Sequence, residues 1–484
     1  MQRSSEPRRV TEARPRIVLV SNREPFTRKK AKDGSERWVQ KPGGLVSALT
    51  PVMTQEDGVW VAWEPESKEP TRTRVPGGDA PSFLFRSVPL TQSEVRRYYQ
   101  GFANRALWPL CHYLLDRCDF QEQDWDVYQR VNARFADAVA AEAREGDLVW
   151  IQDYHFCLAP RMVRERRSNG GAIAYFHHVP FPASQVFRVL PWREDVLLGL
   201  LGADLVGFHT KNYAKNFMTA CSEILGAQVD EASGQVLWQG RSTQVGWFPI
   251  GIDVAEHERV ARSEKVEQQV AEIRRKVSGD KIILGVDRLD YTKGILERLY
   301  SFERLLERHP HYRGKVSLVQ IAVPSRTAVE DYKNLKRKVD ETVGRINGQY
   351  SRLGWTPVSY QYRGLPKDEL IAQYRAADVA LVTPLRDGMN LVAKEYVASR
   401  IEDDGVLLLS EFAGAGEELG RDSVLVNPYS ISDVATALDF ALKMHPDEQR
   451  ARMRRLRTRV AMRDIGWWLG ESLRAAQASA GIDV

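Results

Sequence analysis

The amino-acid sequence predicts an α/β protein with two doubly wound parallel sheets. Short β-branched runs, apolar on both faces, recur along the chain and alternate with longer helix-like segments. That alternation is typical of parallel sheets covered by helices on both faces. A length of 484 residues also exceeds one ordinary core and suits two large domains.

Nine runs are predicted as buried parallel strands. They cover residues 16–21, 147–152, 172–177, 204–209, 281–286, 316–322, 379–383, 405–410 and 423–427. Between the fourth and fifth runs, the segment WFPIGID carries a proline and a glycine, so we place a domain boundary near residue 252. The sequence therefore predicts a disordered tail at 1–15, a first domain at 16–252 and a second domain at 253–464.

Composition indicates a soluble protein, and we expect it in the cytoplasm. Hydrophobic residues make up 43% of the chain, and no run approaches the roughly 20 apolar residues of a membrane span. The net charge of +5 is spread thinly, and the basic clusters at 164–167 and 450–459 lie in helix-like stretches. We therefore expect solvated helix faces and neither a nucleic-acid nor a membrane partner. A polyanion-binding patch is the alternative.

Cysteine usage and the start of the chain agree with that compartment. The four cysteines form no CxxC pair, as expected for reduced thiols in a cytosolic protein. The first fifteen residues lack the apolar segment of a secretory signal. A transit peptide is a minor alternative, because acidic residues are unusual in such peptides.

In the first half, polar residues follow the predicted strands. Arg23 comes after the first strand, Asp153 after the second and His178 after the third. Because carboxyl ends of parallel strands meet at one sheet edge, these side chains should converge on a cleft that can hold sugar hydroxyls. Gly43 and Gly44 open an apolar helix, where a backbone N–H can approach a phosphate. A plain glycine turn explains that pair equally well.

In the second half, Arg288 and Lys293 share one strand-to-helix loop. Two fixed cations suit a pyrophosphate and can stabilise a departing nucleoside diphosphate, although surface ion pairs are the alternative. After a later strand, Asp387 lies at the mouth of a loop that opens a helix, and Glu395 follows about two turns into that helix. Asp387 could accept hydrogen bonds from sugar hydroxyls and Glu395 from a ribose diol.

No metal or other cofactor is predicted. No ligand cluster has the spacing of a known metal motif such as HExxH. The DWD segment at 124–126 is formally a DxD motif, but its helix-like context predicts a structural role. An NAD-dependent Rossmann oxidoreductase is an alternative class of enzyme. It is disfavoured because the first strand is followed by SNREPF and not by the GxGxxG motif of dinucleotide-binding proteins.

Taken together, the motifs resemble those of the trehalose-6-phosphate synthase family, glycosyltransferase family 20. The resemblance spans about residues 16–468 and is carried by SNR, the paired glycines, WIQDYH, HVPFP, FPIGID, DRLDYTKG, GRINGQYSRLGWTP and TPLRDGMNLVAKEY. It implies a GT-B fold, in which two Rossmann-like domains face a central cleft. It also implies that the last helix, within 465–484, returns to the first domain.

The resemblance implies a reaction and a role for each matching residue. Glucose would pass with retention from UDP-glucose, or another nucleoside diphosphate glucose, to glucose 6-phosphate, without metal. Residues implied in catalysis are His178, Arg288, Lys293 and Asp387. Residues implied in donor binding are Gly43, Gly44, Arg288, Lys293, Leu365, Asp387, Gly388, Met389, Asn390, Leu391, Val392 and Glu395. Residues implied in acceptor binding are Arg23, Tyr99, Trp108, Asp153 and Arg326.

Two positions depart from the family pattern. Gln152 stands where the family commonly has His, and His177 where it often has Leu. The second departure also resembles the glucosylglycerol-phosphate synthases, which leaves a different acceptor as an alternative. A catalytically silent regulatory homologue is a further alternative, disfavoured by the presence of every charged position. A homo-oligomer is compatible with the sequence, which does not fix the donor base.

Overall fold

The computed structural model describes residues 16–481 except for 31–35, 41–45, 47–48, 51–52, 54–57, 66, 78–79, 168–169, 278 and 327–328. The predicted tail at 1–15 lies outside the described residues, as do Gly43, Gly44 and residues 482–484 of the predicted last helix.

A ten-stranded sheet occupies the first half of the chain. The strands of this half are β1 (Ile17–Arg23), β2 (Phe26–Lys30), β3 (Glu36–Gln40), β4 (Val59–Trp63), β5 (Arg72–Gly77), β6 (Ala80–Val88), β7 (Leu148–Gln152), β8 (Ile173–His177), β9 (Leu205–Phe208), β10 (Gln228–Asp230), β11 (Gln235–Trp238) and β12 (Arg241–Trp247). The sheet order is β10-β11-β12-β9-β8-β7-β1-β4-β6-β5, and β2 pairs only with β3. The seven strands from β12 to β6 pair in parallel, while β5, β10 and β11 add antiparallel edges.

A six-stranded parallel sheet occupies the second half. Its strands are β13 (Lys281–Arg288), β14 (Val316–Val323), β15 (Val358–Gln361), β16 (Val379–Val382), β17 (Val406–Ser410) and β18 (Val424–Val426). Their order, β15-β14-β13-β16-β17-β18, is the 3-2-1-4-5-6 order of nucleotide-binding folds. The strand order reverses between β13 and β16, where such sheets bind ligands.

Helices cover both sheets. The α-helices are α1 (Gln92–Glu94), α2 (Trp108–Cys111), α3 (Glu122–Glu142), α4 (Ala159–Arg166), α5 (Ser184–Phe187), α6 (Arg193–Leu200), α7 (Lys211–Ala220), α8 (Val254–Ala261), α9 (Glu264–Lys276), α10 (Ile295–Arg308), α11 (Glu330–Tyr350), α12 (Lys367–Ala376), α13 (Leu391–Ser399), α14 (Ala415–Leu419), α15 (Ile431–Lys443), α16 (Pro446–Met462) and α17 (Ile465–Ser479). Wider π-type turns continue α1 through Val95–Leu107 and α7 through Cys221–Leu225, and single 3-10 turns occur at Leu115–Arg117, Tyr154–Phe156, Tyr291–Lys293 and Pro310–Tyr312. None of the helices in the described part of the chain has the length and apolarity to cross a membrane.

The predicted fold class is confirmed, and all nine predicted strands are present with ends that differ by at most two residues. They were predictable because central parallel strands are buried on both faces, as the wholly buried β7, β8 and β17 are. The strands β2 to β6, β10 to β12 and β15 were not predicted. Of these, β10 to β12 form an edge ribbon with alternating exposure, which gives a weaker sequence signal than a continuous apolar run. The strand β4 is wholly buried, so its apolar run VWVAW carried the same signal as the predicted strands and was missed.

Helix α17 crosses back to the first sheet. The indole of Trp468 is fully buried, with its centroid 5.3 Å from the ring of Trp150 on β7 and 5.2 Å from that of Phe176 on β8. The amide of Ile465 donates to the carbonyl of Ile252 at 3.1 Å. The preceding helix, α16, packs instead against α13 beside the second sheet. Whether the chain divides into independently folding units at residue 252 stays a prediction.

The backbone is strained at three residues on the facing edges of the two sheets. Asp153 has φ 75° and ψ 167°, Arg326 has φ 46° and Asn390 has φ 75°. Side chains other than glycine adopt such angles at a cost of about 1–3 kcal/mol per residue. Strain of this size persists only where surrounding contacts impose it.

For Asp153 the strain predicts an inverted order of stability between two variants. Both Asp153→Ala and Asp153→Gly lose the carboxylate, but only glycine adopts φ 75°, ψ 167° freely. We expect Asp153→Gly to exceed Asp153→Ala in unfolding free energy by about 1–3 kcal/mol, measured by urea unfolding. Asp137 within α3 is the control, because there Ala should exceed Gly by about 1 kcal/mol. Equal stabilities of the two Asp153 variants would contradict the strain.

Candidate functional site

The carboxyl ends of both sheets face one cavity of about 370 Å³. Residues that follow β1, β7 and β8 line it from the first half, and residues that follow β13, β14 and β16 line it from the second. Among the residues predicted for the site, the cavity wall contains Arg23, Tyr99, Trp108, Asp153, His178, Arg288, Lys293, Arg326 and Asp387. The structure therefore brings together side chains that are up to 364 positions apart in the sequence, from Arg23 to Asp387.

The two halves touch at a glycine beside this cavity. The backbone at Gly388 passes so close to β8 that a Cβ there would lie 2.1 Å from the carbonyl oxygen of His178. Such a distance leaves no room for a side chain. Tyr213 of α7 adds a second contact, since its hydroxyl donates to the carbonyl of Asp387 at 3.0 Å.

Lys293 is buried and held by Asp387. Its ammonium lies 2.5 Å from the Asp387 carboxylate, which also accepts from the amide of Asn390 at 3.0 Å. Burial would raise the pKa of Asp387, but the Lys293 charge outweighs burial and keeps that pKa below its ordinary value. Asp387 is therefore ionised at neutral pH. The predicted partner cation, Arg288, is exposed, with its guanidinium 5.7 Å from the Trp108 ring centroid.

Arg326 is fixed from several sides. Its guanidinium pairs with Asp290 at 3.3 Å, donates to the Tyr154 hydroxyl at 3.2 Å and also bonds the hydroxyl of Tyr332. It stacks over the Trp108 ring at 4.2 Å. Burial alone would raise the pKa of Asp290, yet Arg326 and other nearby cations lower it to about 2. A permanent positive charge is thus held at the cavity wall.

Arg23 lines the cavity from the first half. Its guanidinium sits 5.0 Å from the Tyr99 ring centroid and 5.7 Å from that of Trp63. Burial raises the pKa of Tyr99, but Arg326 and Arg23 act on the same hydroxyl and bring that pKa below its ordinary value. Arg23 and Arg326, one from each half, thus flank a single phenol.

Asp153 supplies a carboxylate that accepts from two backbone amides, one adjacent in sequence and one directly after β8. Its Oδ1 accepts from the amides of Tyr154 at 3.0 Å and His178 at 3.1 Å. Burial raises the pKa of Asp153 to about 6, against the opposing effects of these amides and the nearby arginines. Most Asp153 side chains are therefore charged at neutral pH, and they can accept hydrogen bonds from sugar hydroxyls.

His178 is neutral and oriented by Gln152. Its Nε2 lies 2.8 Å from the Gln152 Oε1. Burial, with smaller effects from neighbouring histidines, holds the pKa of His178 well below its ordinary value. The other departure from the family pattern, His177, does not line the cavity, and its Nδ1 lies 3.0 Å from the Tyr175 hydroxyl within the core. Of the two departures, only Gln152 meets the site.

Most of the remaining predicted donor residues lie in or just before α13, whereas Leu365 lies just before α12. Glu395 accepts from the hydroxyl of Tyr374 at 2.7 Å, and Asn390 caps the helix through the amide of Ala393 at 3.4 Å. The Met389 side chain is buried in the core, so any ligand contact there must come from its backbone. Described donor residues outside the cavity wall are Leu365, Gly388, Met389, Asn390, Leu391, Val392 and Glu395.

Sequence reasoning missed the residues that hold the predicted ones. Asp290 was visible in the DRLDYTKG segment, but its contact with Arg326 spans 36 residues. His112 also lines the cavity, and its Nδ1 lies 2.7 Å from the carbonyl of Trp108, one helical turn earlier. That i,i+4 spacing from Trp108 is the signal that could have indicated it.

The residues for which the sequence predicted a structural role form contacts with other side chains of the protein or are free thiols. Asp124 of the DWD segment is buried and pairs with Arg97 at 3.1 Å and Arg105 at 3.8 Å. All four cysteines are free thiols. Arginines of the basic run on α16 are paired with carboxylates, for example Arg452 with Glu448 and Arg455 with Asp422, both at 2.6 Å.

Known proteins resemble the chain over almost its whole length. The trehalose-6-phosphate synthase of Mycolicibacterium smegmatis is 43% identical over 471 residues, which cover 96% of this chain and 92% of that protein. A Burkholderia xenovorans alpha,alpha-trehalose-phosphate synthase (UDP-forming), solved in complex with glucose-6-phosphate, is 34% identical with a TM-score of 0.87 and covers 96% of this chain and 100% of that one. An E. coli structure bound with UDP-2-fluoro glucose is 35% identical with a TM-score of 0.85, covering 95% and 99%.

The model of one protein family, described as Glycosyltransferase family 20, matches residues 15–478. That match includes both sheets, the cavity between them and the returning helix α17. This chain therefore belongs to glycosyltransferase family 20 and is a glycosyltransferase.

Proposed function

We propose that the chain is a UDP-forming trehalose-6-phosphate synthase. It transfers glucose, with retention, from UDP-glucose or another nucleoside diphosphate glucose to glucose 6-phosphate. The observation that carries the proposal is a single cavity between the two halves whose wall contains four cations, Arg23, Arg288, Lys293 and Arg326. A wall with several cations suits two phosphate-bearing substrates, since arginine and lysine bind phosphates by charge-assisted hydrogen bonds. Relatives named for this activity support it.

The second half binds the donor in this proposal. Arg288 and Lys293 contact the diphosphate, while Asp387, Asn390 and the backbone of 388–389 hold the glucose. Glu395 accepts from the ribose hydroxyls, and Leu365, Leu391 and Val392 add backbone contacts. The Lys293–Asp387 pair supports this division, because it places a cation and a hydroxyl-binding carboxylate side by side. Gly43 and Gly44 complete the diphosphate contacts from the first half.

The first half binds the acceptor, together with Arg326. Arg23 and Arg326 grip the phosphate, and Asp153, Tyr99 and Trp108 surround the sugar. The flanking of Tyr99 by both arginines supports this placement. A phosphate held by one arginine from each half would also favour the closed arrangement of the halves.

The reaction requires no protein nucleophile. An acceptor oxygen bonds to the anomeric carbon on the face from which the diphosphate leaves, and the bond between that carbon and the diphosphate oxygen breaks. The acceptor proton passes to the departing phosphate oxygen. Arg288 and Lys293 stabilise the developing negative charge, and His178, being neutral, provides a hydrogen bond beside the reacting centre and no stored proton.

No metal or other cofactor takes part, and the enzyme acts in the cytoplasm. The fixed cations Lys293 and Arg326 supply positive charge at the cavity wall, which supports phosphate binding without a divalent ion. The four free cysteines are consistent with a reducing compartment.

Glucosylglycerol-phosphate synthesis is the second candidate, and one contact keeps it open. Gln152 lines the cavity and positions His178. A residue that differs from the family pattern therefore lies beside the proposed acceptor site. Asp153 favours the larger acceptor, because its carboxylate can accept further hydrogen bonds from sugar hydroxyls in addition to those from two backbone amides.

The first test of the proposed function removes the Lys293 charge. We expect Lys293→Ala and Lys293→Gln to lower kcat by about two to three orders of magnitude, the loss typical of one electrostatic stabiliser. The glutamine variant retains a donor for the buried Asp387 and so guards against a folding defect. Lys276→Ala on α9, which breaks an exposed pair with Glu272, is the control and should keep full activity. Near-normal turnover of both Lys293 variants would refute the role.

The acceptor is tested by kcat/KM with a fixed UDP-glucose concentration. The wild type should prefer glucose 6-phosphate to glycerol 3-phosphate by at least about ten-fold, because the smaller acceptor lacks the sugar hydroxyls that would donate to Asp153. Asp153→Asn should reduce that ratio. A preference for glycerol 3-phosphate would contradict the proposed acceptor, whereas the proposal that the protein transfers glucose would still stand.

Metal independence is tested by exhaustive chelation followed by gel filtration. Because side chains supply the positive charge, the chelated enzyme should retain nearly all of its turnover with UDP-glucose and glucose 6-phosphate. Re-addition of Mg²⁺ or Mn²⁺ provides the comparison. An absolute requirement for either ion would contradict the mechanism.

A further inference from the structure

Two histidines and a carboxylate meet on the second half, away from the cavity. His309 follows the last residue of α10, His311 lies two residues later, and Asp439 projects from α15. One possible ligand atom from each lies within 4.8 Å of the other two. The Nδ1 of His309 is 3.8 Å from the Asp439 Oδ1, and the two imidazole centroids are 5.7 Å apart.

The framework around these side chains is rigid. Helices α10 and α15 pack closely against each other, and Leu305 and Leu438 are buried at their junction. The two histidines flank Pro310, which fixes its own φ and opens a 3-10 turn closed by a bond from the Tyr312 amide to the His309 carbonyl at 3.0 Å. The three side chains therefore extend from fixed backbone positions.

Asp439 already has the partner that orients a metal-binding carboxylate. The Tyr312 hydroxyl donates to its Oδ1 at 2.8 Å, and outer hydrogen bonds of this kind orient ligands and tune affinity. Burial would raise the pKa of Asp439, but bonds from Lys443 and Tyr312 keep it below its ordinary value. The carboxylate is thus ionised at neutral pH, as a ligand must be.

Lys443 is the competing cation. Its ammonium lies 2.8 Å from both Asp439 oxygens. That side chain is 57% exposed, so it can turn into solvent or keep Oδ2 while Oδ1 takes another partner. An exposed lysine pair contributes little to stability, about 0–1 kcal/mol, so its displacement is a small obstacle.

We propose that His309, His311 and Asp439 form a peripheral binding site for a divalent transition-metal ion, with Zn²⁺ as the representative ion. Imidazole and carboxylate ligands suit Zn²⁺, which binds them at about 2.0–2.2 Å and completes a tetrahedral shell with water. The possible ligand atoms now lie within 4.8 Å of one another, and in the proposed site rotation of the exposed His311 side chain brings them closer. The bound ion ties the turn after α10 to α15 and has no part in glucosyl transfer.

Equilibrium dialysis and calorimetry of the metal-stripped full chain with Zn²⁺ test the site. The wild type should bind Zn²⁺ at this site, and His311→Ala should weaken that binding by more than about ten-fold, since even losing an outer-sphere partner costs 10–100-fold. Tyr312→Phe should weaken it by about ten-fold, because Asp439 loses its orienting bond. His445→Ala is the matched control, because His445 is exposed beside Asp447 at 3.4 Å but has no second histidine.

Thermal unfolding gives a second readout that is independent of activity. The unfolding midpoint of the wild type and of His445→Ala should rise with Zn²⁺ concentration, since the ion binds the folded state. That rise should be absent in His311→Ala, whose midpoint without metal should match the wild type. Equal Zn²⁺ affinity and equal midpoint shifts in His311→Ala and His445→Ala would overturn the proposal, as would failure of the wild type to bind.

Discussion

The site depends on buried cations that are each held by a carboxylate from the same half of the protein. Lys293 is paired with Asp387, and Arg326 with Asp290. Removing one partner from such a buried pair is strongly destabilising, by about 3–5 kcal/mol, because the other charge is left uncompensated. The pairs therefore keep positive charge at the cavity wall before any substrate arrives. In the proposed reaction, the phosphate groups of the substrates then bind where positive charge is already fixed, so few side chains have to reorient.

Aromatic rings extend this arrangement across the cavity. Trp108 lies beneath both Arg288 and Arg326, and Tyr99 lies beneath Arg23. Guanidinium groups over ring faces gain cation–π attraction while keeping their N–H donors free for a ligand. The close approach of Gly388 to the carbonyl of His178 holds the two halves in contact beside these rings. In the proposed mechanism, catalysis therefore depends mainly on the positions of the substrates and on the fixed charges around them.

The sequence predicted what depends on local pattern and missed what depends on distant contacts. Buried strands such as β7 and β17 were predictable because their apolar runs are continuous, whereas the half-exposed ribbon β10 to β12 was not. Arg326 was indicated by the family resemblance, but the Asp290 and Tyr332 contacts that hold it require the folded chain. Likewise, the sequence marked Gln152 as unusual without revealing its bond to His178.

Helix α17 has a consequence for the order in which the protein matures during synthesis. Its Trp468 covers Trp150 and Phe176, which belong to strands made some three hundred residues earlier. While the ribosome produces the second half, that aromatic face of the first sheet lacks its cover. The first half of the nascent chain therefore exposes this apolar surface to chaperones and to non-native contacts until α17 has been synthesised. The core of the first half is therefore completed only by the last helix. A chain that is released from the ribosome before α17 is made keeps an exposed aromatic surface on its first sheet.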